Sequence, residues 1–312
     1  MTEKETPKVS VFMITYKHQE FIAQALDSIL NQKTSFPFEI VIGDDGSPDD
    51  TGKIALAYAL NYPGKIRYHR REPNIGMMPN LIRTLEECRG QYIAICEGDD
   101  YWVDENKLQE QADFLDTHPD YSLCCHNHFV FAHGELVPMN KNVKENKTVT
   151  TEEYMLNPFF HMASYFFRKD AMPHPFPGWY DKVLAGDHFL VLFLSMKGKI
   201  WYINKRMSVF RNHGSSVSFT RTALDLKENF VHHLELFDQY SGSAYHQPLQ
   251  RVISRWDLVY KVYEPGSYFG KIGYLFRHLG VYGRNFRATG RLKLLAKYLV
   301  PQRVLRRVKG QK

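Results

Sequence analysis

The chain has 312 residues, of which 44% are apolar and 24% are charged, and its formal net charge is +6 at pH 7. These proportions exclude a disordered, collagen-like or coiled-coil protein, and the length allows two domains or one large α/β domain with an appendage. No apolar run approaches the roughly 18 residues of a membrane span, and the polar residues 1–8 predict that no secretory signal opens the chain.

Short apolar runs alternate with helical periodicity through the first half of the chain. Residues 9–14, 38–42 and 92–96 are apolar stretches that predict buried strands. Apolar residues recur at helix spacing between these strands, and Ser47 is placed to cap the second helix. This alternation predicts an α/β fold with a Rossmann-like, mostly parallel central sheet and helices on both faces.

Acidic turns follow two of the predicted strands directly. Asp44 and Asp45 end the second strand, and Glu97-Gly-Asp-Asp100 follows the third. Ligands bind beyond the carboxyl ends of strands in such sheets, so both turns are expected at one edge. The aspartate pair could bind a nucleoside or a metal, or could only cap a helix. The second cluster repels itself unless a cation compensates, which favours Mg²⁺ or Mn²⁺, although an exposed acidic turn is the plain alternative.

The second half is less regular. Three segments predict strands and residues 187–196 predict a helix, with the strands at 161–168, 200–203 and 207–210. Asp187 is either the cap of this helix or a general base, and Arg211 and His213 could be a phosphate contact and a metal ligand. The pattern turns helical at about residue 221, so we place a domain boundary between residues 218 and 219.

Taken together, these segments resemble the inverting glycosyltransferases of family 2, which have the GT-A fold. The resemblance covers about residues 8–218 and is carried by Val9–Tyr16, Asp44–Ser47, Asn74–Gly76 with Asn80, Glu97–Asp100, Gly186–Asp187, and Arg211–His213 with Ser216. Two positions depart from the family pattern. Glu97 stands where an aspartate is usual, and Gly186 stands where a glutamate is usual before the base.

The resemblance implies a metal-dependent hexosyltransferase of bacterial polysaccharide or lipopolysaccharide synthesis. The donor would be a nucleotide diphosphate sugar, with a UDP-sugar favoured, and the acceptor a saccharide or lipid-linked saccharide. Asp187 would be the catalytic base. Mn²⁺ or Mg²⁺ would be bound by Asp99, Asp100 and His213. The nucleotide would contact Thr15, Tyr16, Asp44, Asp45, Asn74, Asn80, Glu97 and Arg211, while residues 120–170, including His161, would shape the acceptor pocket.

The predicted C-terminal region, residues 219–312, is helical and ends in a basic amphipathic segment. Residues 265–312, the basic tail, contain 12 Lys and Arg and no acidic residue, whereas the rest of the chain has a net charge of −6. Such a tail suits an anionic membrane surface, or packs as an appendage with a solvated basic face. A nucleic-acid partner is not expected, because the main domain is acidic.

Cysteine spacing bears on the compartment. The chain has four cysteines, Cys88, Cys96, Cys124 and Cys125, whose spacing is typical of neither a zinc site nor a disulfide framework. This predicts a reduced, cytoplasmic protein. If the tail binds lipid, the protein would attach peripherally to the inner face of the membrane.

Three other interpretations make distinct demands on the sequence. A sugar-nucleotide pyrophosphorylase should carry a glycine-rich basic loop after the first strand, where this chain has Thr15–Glu20 without glycine. A signalling receiver domain should carry its acidic pair after the first strand, and here the pair follows the second. A catalytically inactive GT-A scaffold is disfavoured because Asp99, Asp187 and His213 are all retained.

Overall fold

The computed structural model describes residues 6–213 and 223–263. The chain divides into two compact units, residues 1–220 and 221–312. Ser216 and the basic tail, for which the sequence makes predictions, lie outside the described residues.

Strands and helices alternate regularly in the first half of the first unit. They are β1 (Val9–Thr15), α1 (Ile22–Leu30), β2 (Phe38–Asp44), α2 (Thr51–Asn61), β3 (Ile66–Arg70), α3 (Met77–Glu87) and β4 (Tyr92–Ile95). The second half adds β5 (Tyr101–Trp102), α4 (Lys107–Thr117), β6 (Tyr121–Ala132), β7 (Glu135–Pro138), β8 (Lys147–Val149), α5 (Thr151–Leu156), β9 (Phe166–Arg168), α6 (Gly186–Ser195) and β10 (Lys199–Arg211).

Within the described residues, these strands form one sheet in the order β3-β2-β1-β4-β9-β6-β10-β5, with β7 beside β6 and β8 beside β10. The strands β3, β2, β1 and β4 run parallel, and the register pairs Thr15 with Asp44. Strand β9 is antiparallel to both β4 and β6. The carboxyl ends of β1, β2 and β4 therefore lie at the same edge, as the sequence predicts.

Burial of β1, β2 and β4 explains why most of their residues are apolar. Every residue of these strands is buried, because helices flank the sheet. Six apolar residues recur at helix spacing between residues 21 and 30, and helix α1 buries four of them in this core: Ile22, Ala25, Leu26 and Ile29. The four cysteines are free and buried.

Three local predictions were wrong. Helix α2 begins at Thr51 and is not capped by Ser47, because the Ser47 hydroxyl donates to Asp44 Oδ1 (2.6 Å). Residues 161–168 form a short 3₁₀ helix, Met162–Ser164, followed by the three-residue β9. The two strands predicted at 200–203 and 207–210 are one strand, β10, whose polar middle lies at a shift in register with β6 between Ile203 and Arg206.

The second unit contains two helices in its described part, α7 (Ala223–Tyr240) and α8 (His246–Tyr263). They pack against each other through Phe230 and Trp256, whose ring centroids are 5.4 Å apart. Among the described residues, no helix is both long enough and apolar enough to cross a bilayer.

Candidate active site

The acidic turn after β4 packs directly against the end of β1. Gly98 N donates to Ile14 O (3.0 Å), which draws the turn onto the neighbouring strand. A Cβ at Gly98 would lie 2.6 Å from Thr15 Oγ1 and 3.0 Å from His18 Nδ1. Glycine is therefore required here for close backbone approach, and it brings Glu97, Asp99 and Asp100 to the edge where β1 ends.

Asp44 is fully buried at the end of β2, and the protein itself satisfies its carboxylate. Oδ1 accepts hydrogen bonds from the Ser47 backbone N and hydroxyl (2.9 and 2.6 Å), and Oδ2 accepts from Tyr68 Oη (2.7 Å) and Arg70 Nη1 (3.0 Å). These bonds fill the acceptor capacity of a carboxylate. Asp44 thus holds the turn and the end of β3 together.

Asp45 holds the next loop in place. Its carboxylate accepts from the backbone N–H groups of Ile75 (2.8 Å) and Gly76 (2.9 Å), and its carbonyl accepts from Asn74 Nδ2 (2.7 Å). Gly76 has φ +93°, a conformation that favours glycine. The two segments predicted to contact the nucleotide are thereby joined into one wall.

Asn80 lies beneath this wall on α3, almost fully buried. Its Nδ2 donates to Gly43 O (2.8 Å), and its Oδ1 accepts from Arg71 Nε (3.1 Å). A Cβ at Gly43 would lie 2.0 Å from Thr84 Oγ1, so α3 packs onto β2 only because residue 43 is glycine. In this structure Asn80 positions β2 rather than facing the open edge.

Tyr16 differs from these buried groups because its side chain is 40% exposed. The Nζ atom of Lys17 lies 5.1 Å from the Tyr16 ring centroid. An exposed aromatic face at the end of β1 is available for stacking on a planar ligand.

Asp99 is enclosed by two histidines. Its Oδ2 lies 3.0 Å from His213 Nε2 and 3.6 Å from His18 Nε2. Burial favours a raised pKa for Asp99, but the hydrogen bond from His213 and the charge of His18 outweigh it and the pKa is lowered. The structure thus brings together Asp99 and His213, which are 114 positions apart.

Arg211 lies at the end of β10 and is bound to the acidic turn. Its backbone N donates to Asp100 Oδ1 (2.9 Å), and its guanidinium donates to Asp99 O and to Gln24 Oε1. The guanidinium carbon also lies 4.4 Å from the ring centroid of Tyr101. These contacts fix the direction of the chain as it passes from Arg211 to His213.

Asp100 forms a separate cluster with Glu97 and His161. One oxygen or nitrogen from each residue lies within 4.8 Å of the others. Asp100 Oδ2 is buried, has no hydrogen-bond partner among the described residues and lies 3.5 Å from His161 Nδ1. Burial, with the nearby carboxylates of Asp99 and Asp187, raises the pKa of Glu97 to about 8. Such a group of carboxylate oxygen and imidazole nitrogen atoms can bind a divalent cation.

Asp187 lies in the first turn of α6. Its negative charge contributes to the raised pKa of Glu97 and of three buried tyrosines, Tyr154, Tyr165 and Tyr180. Burial raises the pKa of Asp187 itself, against the hydrogen bonds from its own and the next backbone N–H. A carboxylate made more basic by burial, next to the acidic turn, is suited to accept a proton.

Sequence patterns missed two residues of this site. His18 and Gln24 lie on the turn before α1 and on α1, where nothing in the spacing distinguishes them from surface residues. His161, which the sequence predicts in an acceptor pocket, lies against Asp100 and over the Phe210 ring, with centroids 4.2 Å apart.

Comparisons with known proteins agree with this architecture. The sequence model of "Glycosyl transferase family 2" matches residues 10–179. An uncharacterized protein of Mycobacterium tuberculosis is 31% identical over 210 residues, which are 67% of this chain and 60% of that protein. The minor teichoic acid biosynthesis protein GgaB of Bacillus subtilis is 27% identical over 74% of this chain and 26% of its own length.

Solved structures share the fold. S. aureus TarS in complex with UDP-GlcNAc superposes with a TM-score of 0.62 at 18% identity, over 81% of this chain and 72% of that one. The mannosyltransferase PcManGT from Pyrobaculum calidifontis, in complex with GDP-Man and Mn²⁺, superposes with a TM-score of 0.53 at 14% identity, over 98% and 88%. The fold is therefore GT-A, and the chain spans about 60% of the length of the mycobacterial relative.

Proposed function

Because the chain belongs to glycosyl transferase family 2, we propose that it transfers a sugar from a nucleotide diphosphate sugar to an acceptor hydroxyl with inversion of the anomeric configuration. The observation that carries the proposal is the acidic turn at the carboxyl ends of β1 and β4, where Asp99 Oδ2 lies 3.0 Å from His213 Nε2 and where Glu97, Asp100 and His161 present ligand atoms within 4.8 Å of one another. Asp187, in the first turn of α6, would be the base. A base beside a site for a charged leaving group is what a single displacement requires.

The donor would lie across the ends of β1, β2 and β4. Tyr16 offers an exposed ring for the base, next to Thr15 and the wall formed by Asp45 and Asn74. The sequence predicts nucleotide contacts for this set together with Asp44, Asn80, Glu97 and Arg211. Of these, Asp44 and Asn80 would act by positioning, since their side chains are buried in internal hydrogen bonds. A UDP-sugar is the donor that we favour, because TarS, solved with UDP-GlcNAc, superposes with a TM-score of 0.62, against 0.53 for PcManGT with GDP-Man.

Mn²⁺ or Mg²⁺ would bind at the acidic turn. Asp99, Asp100 and His213 are the ligands that the sequence predicts, and Glu97 and His161 lie beside Asp100. The residues fit such an ion, because Asp100 presents a buried oxygen without a hydrogen-bond partner in the described part of the chain. When bound, the ion offsets the negative charge that develops on the leaving diphosphate.

Asp187 would take the proton from the acceptor hydroxyl as that oxygen attacks the anomeric carbon. The new carbon–oxygen bond forms while the bond to the diphosphate breaks, and the diphosphate leaves with the electron pair. Because the attack comes from the opposite face, one displacement inverts the configuration. General-base assistance of this kind contributes about 10²–10⁴ in rate.

The acceptor would be a saccharide or lipid-linked saccharide of cell-surface polysaccharide synthesis. A relative named for minor teichoic acid biosynthesis supports this class of acceptor. The enzyme would then work in the cytoplasm, with the basic tail holding it at the inner face of the membrane. A pyrophosphorylase is disfavoured, because the segment after β1 has no glycine-rich loop and instead forms a turn in which Thr15 Oγ1 lies 3.2 Å from His18 Nδ1.

The test is a panel of nucleotide sugars offered to the purified protein with Mn²⁺ and candidate acceptors. A true donor held at 100 times its Kd should add about 2.7 kcal/mol to the free energy of unfolding. We expect acceptor-dependent transfer that EDTA abolishes and Mn²⁺ restores, with an inverted product by NMR. Full transfer in EDTA would contradict the requirement for a cation. Retention of the anomeric configuration would contradict a single displacement. If no nucleotide sugar in the panel is a donor, glycosyl transfer itself is contradicted.

A further inference from the structure

Helix α2 is apolar around its whole circumference. Residues 54–60 read Ile-Ala-Leu-Ala-Tyr-Ala-Leu, and their one polar group is the Tyr58 hydroxyl. Ala55 is fully buried in the core on the side of the sheet, whereas Leu56 and Leu60 are 47% and 71% exposed. A helix that is apolar all round is normally buried, so the outward side of α2 lacks the polar surface of a helix that faces water.

The exposed apolar residues of α2 form one continuous stripe, the α2 stripe, made of Leu56, Ala57, Leu60 and Tyr62. Leu60 is three positions from Ala57 and four from Leu56, so the three side chains are neighbours on the helix surface. Tyr62 is 43% exposed and stacks on Tyr58, with ring centroids 6.5 Å apart. An exposed apolar patch bordered by polar residues is typical of an interaction site.

The charges that border the stripe discriminate between possible partners. Within residues 49–65 they are Asp49 and Asp50 before the helix, Lys53 in its first turn, and Lys65 after it. Lys53 Nζ lies 2.5 Å from Asp50 Oδ1, while Asp49 and Lys65 form no salt bridge in the described part of the chain. The surface is therefore acidic at one end, basic at the other and neutral in total. Neither an anionic bilayer nor the basic tail complements such a pattern, whereas the same surface turned end to end does.

We propose that the α2 stripe binds a second copy of this chain, with the two α2 helices packed antiparallel about a two-fold axis close to Ala57. A two-fold contact uses the same patch on both copies and so requires a self-complementary surface. Asp49 of one copy then lies towards Lys65 of the other, because both residues are eight positions from Ala57. An apolar centre with charged groups at its rim is the usual anatomy of such a contact.

Sedimentation velocity of the full chain from about 1 to 200 µM measures the association. Leu60→Glu places a charge in the stripe and keeps a good helix former. The matched control is Leu136→Glu, because Leu136 is a 50% exposed leucine on β7. We expect the wild type and the control to form dimers as concentration rises. The Kd of the dimer should rise at least about tenfold in Leu60→Glu, because the carboxylate is buried without a partner.

Disulfide trapping tests the antiparallel arrangement. The four native cysteines are buried, so a thiol introduced on the surface is the one that reacts. Ala57→Cys brings two thiols together at the axis, within the Cα separation of about 7 Å that a disulfide allows. Lys53→Cys leaves the two thiols about 12 Å apart along the helices. Mild oxidation should therefore give a covalent dimer of Ala57→Cys and none of Lys53→Cys, and cross-linking of both would contradict the antiparallel packing.

Four other results would overturn the proposal. The first two are a wild-type chain that stays monomeric over the whole range and a dimer that Leu60→Glu leaves intact. A monomer in which deletion of residues 281–312 makes the thiol of Ala57→Cys more reactive would show that the basic tail covers the stripe. Binding to neutral vesicles that Leu60→Glu abolishes would assign the stripe to lipid. None of these measurements uses a donor or an acceptor, so they stand apart from the proposed function.

Discussion

The sulfur of Met78 occupies the space that a side chain at position 186 would need. A Cβ at Gly186 would lie 2.5 Å from Met78 Sδ and 2.7 Å from its methyl carbon. The Tyr180 hydroxyl donates to Gly186 O (2.9 Å) and holds the start of α6 in place. The family resemblance leads us to expect glutamate at this position, and any side chain there would require the end of the Met78 side chain to move. Asp187 is left as the one acidic residue in the first turn of α6.

This contact predicts a non-additive pair of substitutions. Alanine is a better helix former than glycine, by up to about 1 kcal/mol. Gly186→Ala should nevertheless destabilise the protein, by about 1–3 kcal/mol, because the new methyl group meets the Met78 side chain. In a Met78→Ala background the same change should be neutral or stabilising. Chemical denaturation of the four proteins of this cycle measures the coupling, and strict additivity would contradict the contact.

Asp187→Asn should lower kcat by about 10²–10⁴ and leave donor affinity within a few fold, because a general base acts mainly in the transition state. Donor titration and steady-state kinetics separate the two effects. Asp181→Asn is a suitable control, since Asp181 is exposed on the preceding 3₁₀ helix. If Asp187→Asn turns over substrate near the wild-type rate, Asp187 is not the catalytic base and only forms part of the first turn of α6.

Lys107 predicts a pH dependence of stability. It is fully buried beside Trp102 and donates to Gln111 Oε1 (2.8 Å), and burial lowers its pKa from 10.5 to about 7. Between about pH 7 and 10 the unfolded chain therefore binds more protons at this residue than the folded one, so its contribution to stability rises with pH. The slope should reach at most about 1.4 kcal/mol per pH unit.

The comparison with Lys107→Met isolates this effect, because other titrating groups are shared. The difference in unfolding free energy, wild type minus variant, should increase from pH 7 to pH 9.5 and be flat below about pH 6. Equilibrium denaturation at a series of pH values provides the measurement. A difference independent of pH across this range would show that Lys107 keeps an ordinary pKa.

The basic tail predicts electrostatic binding to anionic vesicles. Deletion of residues 281–312 removes ten basic residues and no acidic ones, which changes the formal charge from +6 to −4. Sedimentation with anionic vesicles should capture the full chain at low salt, lose it as salt rises and fail to capture the deletion variant. Transfer to a small acceptor should survive the deletion, because the proposed catalytic residues precede residue 218. Failure of the full chain to bind at low salt would favour the packed appendage.

Much of this site was predictable from local sequence. Mostly apolar runs predict that β1, β2 and β4 are buried. Parallel strands bring their carboxyl ends to one edge of the sheet, so Asp44, Asp45 and the turn at Glu97–Asp100 are expected at the same edge. Spacing also located the buried face of α1. These conclusions follow from periodicity and chain direction, which neighbouring residues encode.

Only the tertiary structure decided which side chains meet across that edge. Asp99 lies with His213 and Asp100 with His161, although adjacent carboxylates look equivalent in the sequence. The antiparallel strand β9 lies between β4 and β6, so the loop before it, which contains His161, lies next to the acidic turn after β4. The register of β10 places the backbone N of Arg211 within hydrogen-bond distance of Asp100. Strands as short as β9 and polar stretches such as the middle of β10 carry little periodicity. Their pairing partners lie far away in the chain, so contacts of this kind depend on long-range packing that local patterns do not contain.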